Sequence, residues 1–339
     1  ADTDTASRQI DALLAQSWKK HDIKGNEKVS DEVYVRRAYL TVVGRIPTPA
    51  ETSGFLESPS KNKKSELINQ LLSSEGYVHH FFNYWADVLR AQSQGVGDGA
   101  TAQNYLNFIR ESLRANKPYD QFVRELIASE GACFDNAAIG YYMRDRGMPL
   151  DNLSNTTRVF LGTRMECAQC HDHPFDKWTQ KQFYQMAAFT HNMTATSYRS
   201  LPQEEVQKMI RADKSLSKEM QDLMRQALSE VNRPLRDTLV VQNKAALRLP
   251  HDYKYTGSKP KDVVQASVMF GKPVTLTKES SPISEFSQGL ASSSNPRVTN
   301  LIANRLWKKV FGLALIEPLD ELMDSSAASN PELMSFLEN

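Results

Sequence analysis

Apolar residues recur every three or four positions along most of this chain, which predicts a mainly helical protein. Ile10, Leu13, Leu14 and Trp18 mark a first amphipathic helix. A second, capped by Ser30, carries Val33, Tyr34, Arg37, Leu40 and Thr41. Thr48-Pro49-Ala50-Glu51 is a capping box with proline at the first helical position. Leu67, Ile68, Leu71 and Leu72 give another helix, and Phe81, Phe82, Trp85, Val88 and Leu89 the next, its aromatic stripe read as core. A Gly-rich loop spans Gln94 to Ala100, and Tyr105, Phe108, Ile109 and Leu113 resume the period. Asp120 heads Phe122, Val123, Leu126 and Ile127, with Gly131 as the expected C-cap. Leu153, Thr157, Phe160 and Leu161 share one face of a later helix, and Thr179 caps one holding Phe183, Met186, Ala187 and Phe189.

Residues 201 to 232 read as two long amphipathic helices. Their stripe of Met209, Ile210, Met220, Leu223, Met224, Leu228 and Val231 is expected in a core, as methionines at helical spacing usually are. The period then changes to two. Thr238–Val241, Ala246–Leu249 and Val263–Phe270 read as short strands. Glu279 to Ser294 reads as a Ser-rich connection, and helix returns at Pro296 with Val298, Leu301, Ile302, Leu306, Trp307 and Val310. The chain stops just inside a helix capped by Asn330 with Pro331, which predicts a fragment of a longer polypeptide. The fold expected is mainly α. It comprises a helical domain over 1–235, a small β-sheet insertion over 236–278, and the start of a truncated helical domain over 279–339.

Composition adds little to this picture. Forty-one basic residues against 40 acidic ones give no field for nucleic acid. No apolar run reaches the roughly 18 residues of a membrane span. Three cysteines exclude a disulfide scaffold.

The chemistry resides in Cys167-Ala168-Gln169-Cys170-His171, the Cys-x-x-Cys-His signature of covalent haem c (heme c) attachment. Each thiol adds to a vinyl group of one haem, and the adjacent imidazole becomes the proximal iron ligand. A chance match has odds of about one in two thousand at this composition. Rival readings are a Cys₂His₂ metal site with His173, for which the ligand spacing is cramped, and a disulfide or a pair of bare thiols. Arg164 is a candidate partner for a haem propionate, with a solvated arginine the alternative. Phe175, Trp178 and Phe183 are candidate walls of the pocket, with ordinary core packing the alternative. His173 is too near His171 to take the opposite face of the same haem and is expected to bond backbone or a propionate. His191 and Met193 are the candidate distal iron ligands. His79 and His80 are more remote candidates.

Five stretches also carry a family resemblance: Val35–Leu40 with Gly44–Pro49, Lys117–Leu126, Phe160–Arg164 running on through His171–Trp178, Leu249–Tyr255, and Asn304–Trp307 with Phe311-Gly312. Together they resemble a planctomycete cytochrome c-associated family of unknown function, followed by the start of its usual C-terminal partner domain. The resemblance implies an exported protein, periplasmic or beyond, encoded near polysaccharide-degrading enzymes. That family usually has His where this chain has Tyr84 and Asn330.

Two function classes lead. One is electron transfer by a single covalent haem c to a redox partner protein or adjoining domain, in an exported system linked to polysaccharide degradation. The other is a haem-dependent enzyme with an open distal site, acting on carbohydrate fragments. A third is a metal- or disulfide-stabilised interaction module without haem. The sixth iron ligand separates the first two, and the sequence does not decide whether the chain is an enzyme.

Overall fold

Helix dominates the computed structural model, as the 3.6-residue period predicts. The structure describes residues 3–94, 99–196, 203–232, 238–241, 246–270, 276–277, 280–292 and 295–339. In chain order the helices are α1 (Thr3–Lys20), α2 (Asp31–Val43), α3 (Pro49–Leu56), α4 (Lys63–Leu72), α5 (Glu75–Val88), α6 (Gly99–Arg114), α7 (Tyr119–Ile127), α8 (Gly140–Met143), α9 (Pro149–Leu161), α10 (Gln180–Ala187), α11 (Gln203–Ala212), α12 (Lys218–Asn232), α13 (Pro282–Leu290), α14 (Pro296–Phe311) and α15 (Pro331–Glu338). Three short strands, β1 (Gly131–Ala132), β2 (Met193–Thr196) and β3 (Thr238–Val241), form one antiparallel sheet with β3 in the centre. Leu239 of β3 stands opposite both Gly131 and Ala195.

The chain divides into two compact units. Unit 1 comprises residues 1–84, 156–165 and 292–339, and unit 2 comprises 85–155 and 166–291.

In unit 1, α2, α3 and α4 enclose a core of Val35, Ala38, Tyr39, Val42, Val43, Phe55, Leu67 and Leu71. The capping box opens α3 as expected: Glu51 N–H donates to Thr48 Oγ1, and Thr48 N–H donates to Glu51 Oε2. The buried face of α2 is not the one read from sequence. Val33 and Leu40 are exposed, and Ser30 makes no side-chain cap bond. The two stripes lie on nearly opposite faces of the helix, and the one that meets α3 and α4 is buried. A second core gathers Leu301, Leu315, Ile316, Leu322, Leu333 and Met334, against which Ile10, Leu13 and Leu14 of α1 pack. Buried Asn304 pins it through two bonds with the Ile316 backbone, at 2.8 and 3.0 Å.

Unit 2 buries Phe122, Val123, Leu126 and Ile127 of α7, which packs on α13, and Phe189 stacks on Phe286. Four aliphatic and aromatic side chains withdrawn from water on one helix contribute roughly 1.5–3 kcal/mol each. Gly140 lets α8 lie against Tyr105: a Cβ there would come within 2.4 Å of that ring system. Arg90 donates two bonds to buried Asp145, which also accepts from Asn152.

Several expectations for unit 2 are corrected. Gly131 has φ +100 but lies in β1, and α7 ends at Ile127 with Ala128 as its C-cap. The Ser-rich connection contains α13, capped by Ser281, because Ile283, Phe286, Ser287 and Leu290 form a buried helical stripe. Ala246–Leu249 and Val263–Phe270 are not strands. They meet in a single bridge, Arg248 with Val263, and Ser267 N–H donates to the Gln185 carbonyl of α10 instead of to a neighbouring strand. The methionine stripe of α11 and α12 is not core: Met209 is 71% exposed, and Met220, Leu223, Met224 and Val231 are also exposed. The two helices pack on each other, and Ile210 is their one buried side chain among the described residues.

Candidate functional site

The Cys-x-x-Cys-His stretch lies in unit 2, on a 3-10 turn over Glu166–Gln169. Ala168 is the buried anchor of this turn, while Cys167, Cys170 and His171 are exposed. Cys170 and His171 both donate their backbone N–H to the Cys167 carbonyl, at 3.2 and 3.1 Å. One turn of tight backbone therefore carries two thiols and an imidazole, all open to solvent. Cys167 and Cys170 are free thiols, and Cys133 is buried.

Four hydrogen bonds fasten the following loop. Asp172 N–H donates to the Tyr255 hydroxyl at 2.8 Å, and Asp172 Oδ1 accepts from the backbone N–H of Gln180 at 2.9 Å. Gln180 Nε2 in turn donates to the Gln169 carbonyl, and His173 N–H donates to the Trp178 carbonyl. Asp172 thus satisfies one of the free N–H groups at the start of α10, where a carboxylate is also favoured by the helix dipole. Thr179 caps the same end through a reciprocal box with Gln182.

The orientation of His171 follows from its partner. Its Nδ1 lies 2.8 Å from the Asp172 carbonyl oxygen, which can only accept, so Nδ1 carries the hydrogen. The lone pair is then on Nε2, the nitrogen left free for a metal. This is the arrangement by which iron- and zinc-binding histidines are held in one tautomer. His173 is engaged differently. Its Nδ1 accepts from the backbone N–H of Phe175, so it bonds backbone as the sequence suggests.

Three tyrosines adjoin the loop. Tyr184, Tyr253 and Tyr255 pack with Leu249 and Val264 in one small cluster. Burial pushes the Tyr184 hydroxyl up, with the neighbouring Cys170 adding to the effect. Burial raises Tyr253 as well, with Asp172 contributing.

The other residues singled out from sequence have distinct fates. Phe175 is 82% exposed, a large aromatic ring left in water four residues from His171. Trp178 is buried edge-on to Phe270, with the Lys177 ammonium over both rings, and its indole N–H has no hydrogen-bond partner among the described residues. Phe183 is fully buried in the core. Arg164 belongs to unit 1 and pairs with Asp320, its Nη2 lying 3.2 Å from both carboxylate oxygens. His191 Nδ1 lies 3.3 Å from the Ala188 carbonyl. Met193 opens β2, and it lines a cavity of about 20 Å³ with Tyr142, Asp145, Asn152 and Thr190. His79 and His80 belong to unit 1, where burial, with Lys309 adding to it, holds the His80 imidazole below its ordinary pKa.

Residues of the chain suit a haem in three respects: paired exposed thiols, an imidazole with Nε2 free, and a buried indole donor with no acceptor. A closed tetrahedral site is not assembled, since no group of three His, Cys, Asp or Glu side chains converges among the described residues. Sequence reasoning missed Tyr255 and Gln180. Tyr255 is 84 positions from His171 in sequence, and no local pattern announces their meeting.

A family model, PSCyt2, described as a protein of unknown function (DUF1549), matches residues 9–195. A second, PSD1, also a protein of unknown function (DUF1553), matches residues 284–339. Neither a curated protein nor a solved structure matches the chain. Among the described residues no helix is long and apolar enough to cross a membrane.

Proposed function

Since the chain belongs to the PSCyt2 family, we propose that it is a c-type haem protein, with one haem held covalently by Cys167 and Cys170 and ligated by His171. The observation that carries this reading is the pairing of two exposed free thiols with an imidazole whose Nδ1–H is committed to the Asp172 carbonyl. When bound, the haem supplies a one-electron redox couple at its iron.

The chain's own residues then have defined tasks. Cys167 and Cys170 fix the macrocycle to a turn anchored by Ala168. The Asp172 carbonyl sets the His171 tautomer and strengthens Nε2 as a donor. Tyr255 and Gln180 hold Asp172 in place from two directions. Phe175 offers an apolar ring to cover the macrocycle, and the Trp178 N–H is a donor in search of an acceptor.

Electron transfer to a redox partner or to the adjoining domain matched by PSD1 is the activity this site supports best. Cys167, Cys170 and His171 are exposed, so a partner has direct access to them. We place it in an exported redox system linked to polysaccharide degradation, on the strength of the family resemblance. A second reading, an enzyme with an open distal position acting on carbohydrate fragments, is favoured by the engagements of His191 and Met193 elsewhere.

Absorption spectra of the oxidised and reduced protein, followed by titration with cyanide or carbon monoxide, test these assignments. A low-spin haem that resists both ligands supports electron transfer. Ready binding, unchanged in His191→Ala and Met193→Ala, supports the open-site enzyme. A colourless protein after maturation by the haem c machinery would refute both.

A further inference from the structure

The face of α2 that stays out of the core of unit 1 does not face empty solvent. Tyr34, Arg37 and Thr41 line an open groove of about 610 Å³, together with Leu72 of α4, Phe81 of α5 and the Val310–Phe311 end of α14. That volume falls within the range of small-molecule sites, which are mostly apolar with a few placed polar groups. The apolar side chains here are unusually open: Leu72 is 47% exposed, Val310 53% and Phe311 60%. Contiguous exposure of this kind marks a surface that is covered in use.

The charge on the groove indicates what covers it. Among the described residues Arg37 is the one charged residue lining it, and its guanidinium has no carboxylate partner there. Asp31, the acid at the start of the same helix, is already held by Lys63 and Lys64. A second cation lies near Phe81. Lys309 Nζ stands 5.7 Å from the Phe81 ring and 5.0 Å from that of Tyr84, and burial holds its ammonium below the ordinary lysine value. The groove therefore joins apolar walls to the Arg37 guanidinium, with the Lys309 ammonium near the Phe81 ring. A neutral hydrocarbon would leave the cations unused, and a polar anion would leave the aromatic and aliphatic floor in water.

We propose that this groove binds an amphiphilic monoanion, a long-chain carboxylate whose hydrocarbon lies along Leu72, Phe81, Val310 and Phe311 and whose head group is taken by Arg37. Guanidinium and carboxylate match in a two-pronged hydrogen-bonded pair. The site is independent of the cysteine loop and of what that loop binds.

Calorimetric titration of the full chain with dodecanoate, decanoate and dodecanol, all below their micellar concentrations, tests the proposal. Dodecanoate should bind more tightly than decanoate by about fourfold per methylene and at least about tenfold more tightly than dodecanol. Arg37→Gln, at an exposed position, should abolish the preference over dodecanol, and Arg37→Lys should restore part of it. Thr41→Trp, which fills the groove, should weaken all three ligands. No binding of dodecanoate, or equal affinity in wild type and Arg37→Gln, would overturn the proposal. So would a concentration-dependent dimer dissolved by Leu72→Glu, because the face would then belong to a second copy of the chain.

Discussion

Replacing Asp145 by Ala should be among the most damaging single changes in unit 2. The carboxylate is 4% exposed and accepts from Arg90 Nη1 at 3.1 Å, Arg90 Nη2 at 2.5 Å and Asn152 Nδ2 at 3.1 Å. Each bond to a charged group contributes about 1.5 kcal/mol or more, so three amount to roughly 4.5 kcal/mol. Two effects lower the net cost. The mutant no longer desolvates a carboxylate, and the Arg90 side chain is 25% exposed, so its guanidinium recovers some water. About 3 kcal/mol remains, at the lower end of the range for removing one partner of a buried pair. In a chain of 339 residues that is roughly a 4 °C fall in Tm. Asp145→Asn, which keeps the shape and one acceptor, should cost about half as much. Urea denaturation followed by circular dichroism measures both, with Asp120→Ala as the control. Asp120 pairs with Arg124 on an exposed helical turn, where such pairs contribute about 0.3–0.5 kcal/mol. An Asp145→Ala cost below about 1 kcal/mol, or one equal to the control, would refute the reasoning.

Other outcomes follow from particular residues. Thr48→Ala should destabilise unit 1 by about 1 kcal/mol, read by the same denaturation, through loss of the capping box. The Arg45 guanidinium, foremost among its neighbours, lowers the Glu51 carboxyl from 4.5 to about 2. The contribution of this pair is therefore complete above pH 4.5 and lost as pH falls towards 2. Glu51→Gln should flatten the acid limb of stability against pH in that window, by a small amount because the pair is exposed; an unchanged limb would contradict the assignment. Gly140→Ala should cost about 1–3 kcal/mol by driving a methyl group into Tyr105, visible as a lower urea midpoint.

The sequence made the helices legible, and with them the start of α3, because capping boxes and 3.6-residue stripes are local signals. Thr48, Thr179, Asn330 and their partners do in the structure what their types suggest. The misreadings arose where local pattern had to be resolved by packing. On α2, two apolar stripes compete, and only the position of α3 and α4 decides that Val35, Ala38, Tyr39 and Val42 go inside. In α11 and α12 the methionine stripe is periodic but meets no further layer. Val263–Phe270 looks like a strand by composition, yet its backbone finds partners in Leu247 and in α10. At the candidate site the thiols and His171 were legible as a spacing. The tautomer-setting carbonyl and the Tyr255 clasp were not, since they depend on a fold-back of more than eighty residues.

The central claim is that Cys167 and Cys170 bind one haem covalently. The intact mass of the protein, matured by the haem c machinery and then fully denatured, tests it most directly. The mass should exceed that of the polypeptide by one haem in the wild type, and by nothing in the Cys167→Ser, Cys170→Ser double variant. A wild-type mass equal to the bare chain, from a preparation in which a known c-type protein is correctly matured, would contradict it.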